Sequence, residues 1–121
     1  GRVLLAGISQ GGAGVGRAAA DLGGRVAGLV FLSPTLEVGV LGSAAFAAGW
    51  RGRPVLVVSG GADPHVPPAS VDAGVAVMKA GGVAVTEHRV PAAGHFLFFA
   101  ETERVTGWVA DWLREVFVGQ A

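Results

Sequence analysis

Three side chains that can jointly activate a hydroxyl nucleophile occur in this sequence in the order Ser9, Asp63, His95. A serine hydroxyl attacks poorly until a base takes its proton. Neutral imidazole is the natural base, and a carboxylate can hold the ring and stabilise the imidazolium. Ser9 lies in Gly7-Ile8-Ser9-Gln10-Gly11, a Gly-x-Ser-x-Gly pattern that suits a sharp strand-to-helix turn lifting a hydroxyl above a sheet. Glycine is expected at both flanks because side chains there would collide with neighbouring backbone. Asp63 stands in Gly60-Gly61-Ala62-Asp63-Pro64-His65-Val66-Pro67, and His95 in Ala93-Gly94-His95-Phe96. The serine motif alone has a bland explanation, a glycine-rich turn before a helix. Three residue types, each just past its own strand, are much harder to obtain by chance.

The elements that must position them follow from periodicity. Val3-Leu4-Leu5-Ala6 is a continuous apolar run, typical of a parallel strand covered on both faces. The alanine-rich stretch Ala13 to Leu22 favours helix, and Gly23-Gly24 stops it. Leu29 to Leu32 is a second buried strand, ended by Ser33-Pro34. Residues 35 to 53 show less pattern, with a short helix expected around Ser43 to Trp50. Pro54 to Ser59 is the third strand and the strongest. The next helix carries Val71, Val75 and Met78 on one stripe, and Gly81-Gly82 closes it. Val83 to Val90 reads as a fourth strand, polar enough at Thr86, Glu87, His88 and Arg89 to lie at an edge. Val105, Trp108, Val109, Trp112, Leu113 and Val116 mark the apolar face of a last helix.

Strand–helix alternation repeated in this way predicts the α/β class, a parallel sheet of four strands flanked by helices on both faces. Right-handed crossovers place successive strands side by side. Ligands in such sheets sit at the carboxyl ends of strands, where Ser9, Asp63 and His95 stand. The helix after Ser9 would also point its N-terminus at an anion forming there.

Composition narrows the partners. The 121 residues suggest one domain, 1–121. Nine basic and nine acidic side chains leave no net charge to attract nucleic acid or an anionic membrane. With 51% hydrophobic and 15% charged residues, disorder is not expected. Cysteine is absent, which removes disulfides and thiolate chemistry. No apolar run reaches the roughly 18 residues of a membrane span. No signal-peptide pattern is seen, so a cytoplasmic location is expected. The sequence begins with Gly1, its opening residues already read as a buried strand, and its only methionine is Met78. A domain truncated on its N-terminal side is the expectation.

On these residues the chain resembles the second half of an α/β-hydrolase. Gly7-Ile8-Ser9-Gln10-Gly11-Gly12-Ala13 is similar to the Gly-x-Ser-Gln-Gly-Gly elbow of the phospholipase/carboxylesterase group of small serine esterases. Gly60 to Pro67 matches that group's Gly-x-x-Asp-x-x-Val-Pro loop. Gly94-His95, with Trp112-Leu113 closing the last helix, matches its Gly-His pair and terminal helix. The resemblance implies hydrolysis of carboxylic esters or thioesters through an acyl-Ser9 intermediate, with no metal or organic cofactor. His95 would act as base and then acid, Asp63 would orient it, and the Gln10 N–H would be one oxyanion donor. The family pattern has strands before the elbow, and a loop among them supplies the second oxyanion donor. Here the first strand would keep an open edge, through which a homo-oligomer could pair. The short stretch between Ser33 and Pro54 leaves room for a short helix only, so an open site for small or short-chain esters is expected.

Other readings stay open at this stage. Gly14-x-Gly16-x-x-Ala19 satisfies a loose dinucleotide fingerprint, but Ser33 and Pro34 occupy the place of the ribose-binding acid. Under the hydrolase reading Gly14 and Gly16 serve close helix–sheet packing. Asp63, His65 and His95 could be taken for a zinc set. A hydrolase fold without turnover, kept as a binding or assembly module, is the non-enzymatic reading. Arg51 and Arg53 read as solvated, His88 as an exposed edge residue, and Trp108 and Trp112 as core anchors.

Overall fold

Runs of Leu, Val and Phe too short for helices form four parallel strands, ordered along the sheet as they are along the chain. The computed structural model describes residues 3–118. Strand β1 (Leu4–Ile8) leads through helix α1 (Gly11–Leu22) to β2 (Gly28–Leu32). Two short helices follow, α2 (Val38–Leu41) and α3 (Ala44–Trp50), and then β3 (Pro54–Gly60). Helix α4 (Pro68–Ala80) crosses to β4 (Ala84–Val90), and α5 (Leu97–Ala100) precedes α6 (Thr102–Leu113). The expected class and strand count are therefore observed, with β1 and β4 at the two ends of the described sheet. No described helix is long and apolar enough to cross a membrane.

The alternation of side chains along β2 and β3 sorts the core into two layers. Leu29, Phe31, Val55 and Val57 face α1, α3 and α4, meeting Val15, Ala19, Phe46, Trp50, Val71, Val75 and Met78. Val30, Leu32, Leu56 and Val58 face the other way, against Leu97, Val105 and Trp112. Val55 to Val58 are all 0% exposed, which makes β3 the centre of the molecule. Arg53 precedes its first residue and Asp63 follows its last.

Residues 35–53 hold two helices where one was expected. Both fill the helical layer: Leu41, Phe46 and Trp50 are buried in the first core. The Ser43 hydroxyl accepts the Phe46 N–H at 3.2 Å, an N-cap at the start of α3.

Several readings need correction. Arg53 is not simply solvated: its guanidinium donates to the carbonyls of Gly23 (2.9 Å), Gly49 (2.8 Å) and Val26, and lies 4.1 Å from the Trp50 ring centre. Arg51 is exposed as expected. His88 is half-buried and stacks on Trp108, with ring centres 4.4 Å apart and planes within 5°. Trp112 is the deeper anchor of α6, at 2% exposure, while Trp108 is only partly buried. Gly14 is exposed with open space where a Cβ would go, and Gly16 lies against Leu41 of α2 rather than against the sheet.

Candidate active site

The site is built at the carboxyl ends of β1, β3 and β4, one residue from each connection. Ser9 follows β1 directly and has φ 57°, a left-handed conformation unusual for a side-chain-bearing residue. Such strain, on the order of 1–3 kcal/mol, persists only where the surroundings enforce it. Here they do: the Ser9 N–H donates to Leu32 O at 3.0 Å, and Ser9 O accepts from Gly12 N (3.0 Å) and Thr35 N (2.9 Å). The turn is so tight that a Cβ on Gly7 would lie 2.5 Å from Gly11 O. Gly7 is thus required by close approach. Gly11 is not, since a Cβ there would meet nothing within 4 Å.

Asp63 follows β3 and is buried at 4% exposure. Its Oδ1 accepts the backbone N–H groups of His65 (2.8 Å) and Val66 (2.9 Å). Its Oδ2 lies 2.8 Å from His95 Nδ1. Burial alone would raise the Asp63 pKa, but the bonds from Val66, His95 and His65 outweigh it and hold the carboxyl below its ordinary 3.8. The ionised carboxylate only accepts, so Nδ1 is assigned the imidazole proton. Nε2 of the neutral ring is then the acceptor, and it lies 2.8 Å from Ser9 Oγ. The Ser9 hydroxyl therefore donates to His95, and His95 donates to Asp63.

His95 itself sits in the irregular segment between β4 and α5. That segment is pinned to the Asp63 loop: the Ala62 N–H donates to Ala93 O at 2.9 Å. The approach is close enough that a Cβ on Gly60 would lie 2.3 Å from Ala93 O. The structure thus brings together Ser9, Asp63 and His95, 86 residues apart at the extremes. The Gln10 N–H, next to Ser9, donates no hydrogen bond to any described residue. It stands just before the first turn of α1, where backbone donors point outward toward an anion.

A cavity of about 600 Å³ opens on this arrangement, lined by Ile8, Ser9, Gln10, Thr35, His65 and His95, with Phe96, Phe98 and Phe99 at its wall. None of its lining residues comes from α2 or α3. Phe96 and Phe99 are exposed at 66% and 72%, an apolar rim that the triad motifs do not specify. The signal was present in the run Phe96-Leu97-Phe98-Phe99 directly after His95.

The rival readings fit less well. Among the described residues, no three His, Asp or Glu side chains form a metal-holding group. Asp63, His65 and His95 are arranged instead by hydrogen bonds, with the His65 and His95 ring centres 5.0 Å apart. Glu37, the nearest acid after β2, is paired with Arg17 of α1 at 2.9 Å, so no acid ending β2 awaits a ribose.

Comparison with known proteins bears on the fold. No protein-family model matches the chain, and no curated protein does. Solved structures do match. Zea mays acyl-protein thioesterase 2 superposes with a TM-score of 0.73 at 22% identity, over 93% of this chain and 56% of that one. Arabidopsis thaliana SOBER1 gives a TM-score of 0.70 at 24% identity, over 92% and 53%. An alpha-beta serine hydrolase homologue from Coxiella burnetii gives 0.59 at 24%, over 95% and 49%. The chain has the α/β-hydrolase fold. It spans about half the length of these solved relatives. The resemblance read from the elbow, the Asp63 loop and the Gly-His pair is thereby matched at the level of fold.

Proposed function

We propose that this chain carries the catalytic triad of a serine hydrolase acting on carboxylic esters or thioesters of small or short-chain acyl groups. The observation that carries the reading is the continuous relay at His95, with Ser9 Oγ at 2.8 Å on Nε2 and Asp63 Oδ2 at 2.8 Å on Nδ1. His95 takes the Ser9 proton as the hydroxyl oxygen adds to the substrate carbonyl. The resulting oxyanion is met by the Gln10 N–H. Collapse of the tetrahedral intermediate breaks the bond to the leaving alkoxide or thiolate, which receives the proton from His95. Water then repeats the sequence on the acyl-serine, releasing the acid and restoring the Ser9 hydroxyl.

Asp63 contributes by holding one tautomer. With its carboxylate fixed on Nδ1–H, Nε2 is always the free base, and the imidazolium formed during attack is stabilised. The apolar rim of Ile8, Phe96, Phe98 and Phe99 suits the acyl portion, since burying hydrocarbon is worth about 0.8 kcal/mol per methylene. A cavity of this volume lies within the usual range for small-molecule sites. The neighbouring fold of an acyl-protein thioesterase supports including thioesters.

The test is hydrolysis of p-nitrophenyl acetate and butyrate by the chain and by Ser9→Ala. Turnover lost in Ser9→Ala, with a fluorophosphonate probe attached to Ser9 in the parent protein, is the expected result. Equal rates in both proteins would remove the reading and leave a fold kept for binding. A marked preference for long lipid chains would contradict the small-acyl assignment.

A further inference from the structure

Among the described residues only two non-glycines have positive φ, Ser9 (57°) and Ser33 (46°). They occupy equivalent places. Ile8 and Leu32 are register partners at the ends of β1 and β2, and each serine is the next residue. Each donates its N–H to the neighbouring strand, Ser9 to Leu32 O at 3.0 Å and Ser33 to Val58 O at 2.8 Å. Each also directs its hydroxyl to the same residue. Ser9 Oγ meets the His95 ring, while Ser33 Oγ donates to the His95 main-chain oxygen at 2.8 Å.

We propose that Ser33 is a positioning residue for His95, holding its backbone so that the imidazole can bridge Ser9 and Asp63. Asp63 fixes how the ring is turned and the bond from Ala62 to Ala93 holds the segment two residues earlier, but neither holds the main chain at residue 95 itself. Ser33 supplies the missing restraint from β2, the strand between the ones that carry Ser9 and Asp63. It is buried at 2% exposure, so water does not readily replace its hydroxyl at the His95 carbonyl. The left-handed turn at residue 33 aims the side chain across the top of the sheet, toward a partner 62 residues on. His95 is thus anchored by residues following three successive strands: at Nε2, at its carbonyl oxygen and at Nδ1.

This inference rests on the reading of His95 as the general base, so its test uses a signal that does not require turnover. In the full chain labelled with 15N-histidine, the His95 Nδ1 proton bonded to Asp63 should give a far-downfield resonance in slow exchange. Ser33→Gly is the informative variant, because glycine accepts the positive φ and removes only the hydroxymethyl group. Ser33→Ala removes the hydroxyl while keeping the backbone constraint. Both should broaden or displace the His95 resonance. Both should also lower kcat on p-nitrophenyl acetate by about tenfold, with KM within about twofold, because the lost geometry matters at the reacting proton. An unchanged resonance and kcat in Ser33→Gly would overturn the proposal, as would absence of the resonance in the parent protein. A resonance present in the parent and displaced in both variants, without any labelling of Ser9, would uphold the positioning role and defeat the esterase reading alone.

Discussion

The two ends of β3 carry opposite charges set in opposite ways. Before its first residue, Arg53 spreads its guanidinium over the carbonyls of Gly23, Val26 and Gly49 and the face of Trp50. After its last, Asp63 collects the N–H groups of His65 and Val66 and the imidazole of His95. Arg53 meets only fixed dipoles and an aromatic ring, so nothing there can accept or release a proton. Its work is to close the amino end of the sheet. Asp63 faces an imidazole that also meets the Ser9 hydroxyl, so under the hydrolase reading its field bears on chemistry.

Substitutions at the two ends should therefore separate activity from stability. The largest effect is expected from Asp63→Asn. The amide would donate toward Nδ1 and favour the tautomer with Nε2 protonated, leaving His95 unable to accept from Ser9. Under the hydrolase reading kcat should fall by roughly 10⁴, measured on p-nitrophenyl esters, while the variant stays folded with a lowered urea midpoint. A loss below tenfold would show that the carboxylate does not set the tautomer.

Arg53→Ala should reverse the pattern. Three carbonyls lose a charged donor and Trp50 loses its covering cation, so stability should drop by about 3 kcal/mol in urea unfolding. Under the hydrolase reading the folded protein should keep its rate on p-nitrophenyl esters within about twofold, because the change lies at the opposite end of the strand. A parallel fall in kcat at low temperature would break the distinction between the ends. Arg53→Lys should cost less, about 1–2 kcal/mol, since a single ammonium cannot span the three acceptors that the planar fork reaches. Equal stability for Arg53→Lys and the parent would show that charge alone, without fork geometry, closes the amino end.

The smallest effect near neutrality, and a growing one in acid, concerns the titration of Asp63. Its pKa is depressed in the folded protein, so its ionised form contributes stability above the unfolded value of 3.8. That contribution is lost as pH falls from this value through the lower folded pKa. The advantage of the parent over Asp63→Asn in urea midpoint should therefore be constant at about pH 6 and above, and shrink in strong acid. An advantage that stayed level down to about pH 2 would mean that Asp63 is not held ionised by its bonds.

Much of this molecule could be read along the chain. Continuous apolar runs at 29–32 and 54–59 make buried parallel strands because both faces need hydrocarbon. The Gly-x-Ser-x-Gly turn and the positions of Asp63 and His95 just beyond their strands bring the three side chains into view, since the connections leaving the carboxyl ends of parallel strands lie along one rim of the sheet. The helix ends at Gly23 and Gly82 were legible from glycine, with φ of 49° and 86°. What escaped was whatever depends on partners distant in sequence. Arg53 looked solvated because its acceptors at 23, 26 and 49 come together only when α1 and α3 pack. His88 looked exposed because Trp108 reaches it from another element.

Local physics therefore determined the strands, the glycine punctuation and the identity of the three side chains suited to acyl transfer. Burial periodicity and turn sterics act within a few residues, and they are written in the sequence. Only the tertiary structure decided that Nε2 of His95 meets Ser9 while Nδ1 meets Asp63, that Ser33 grips the same histidine from behind, and that phenylalanines rim the cavity. Hydrogen bonds are met or missed within fractions of an ångström. Such distances between residues far apart in sequence are settled by the packing of the whole sheet.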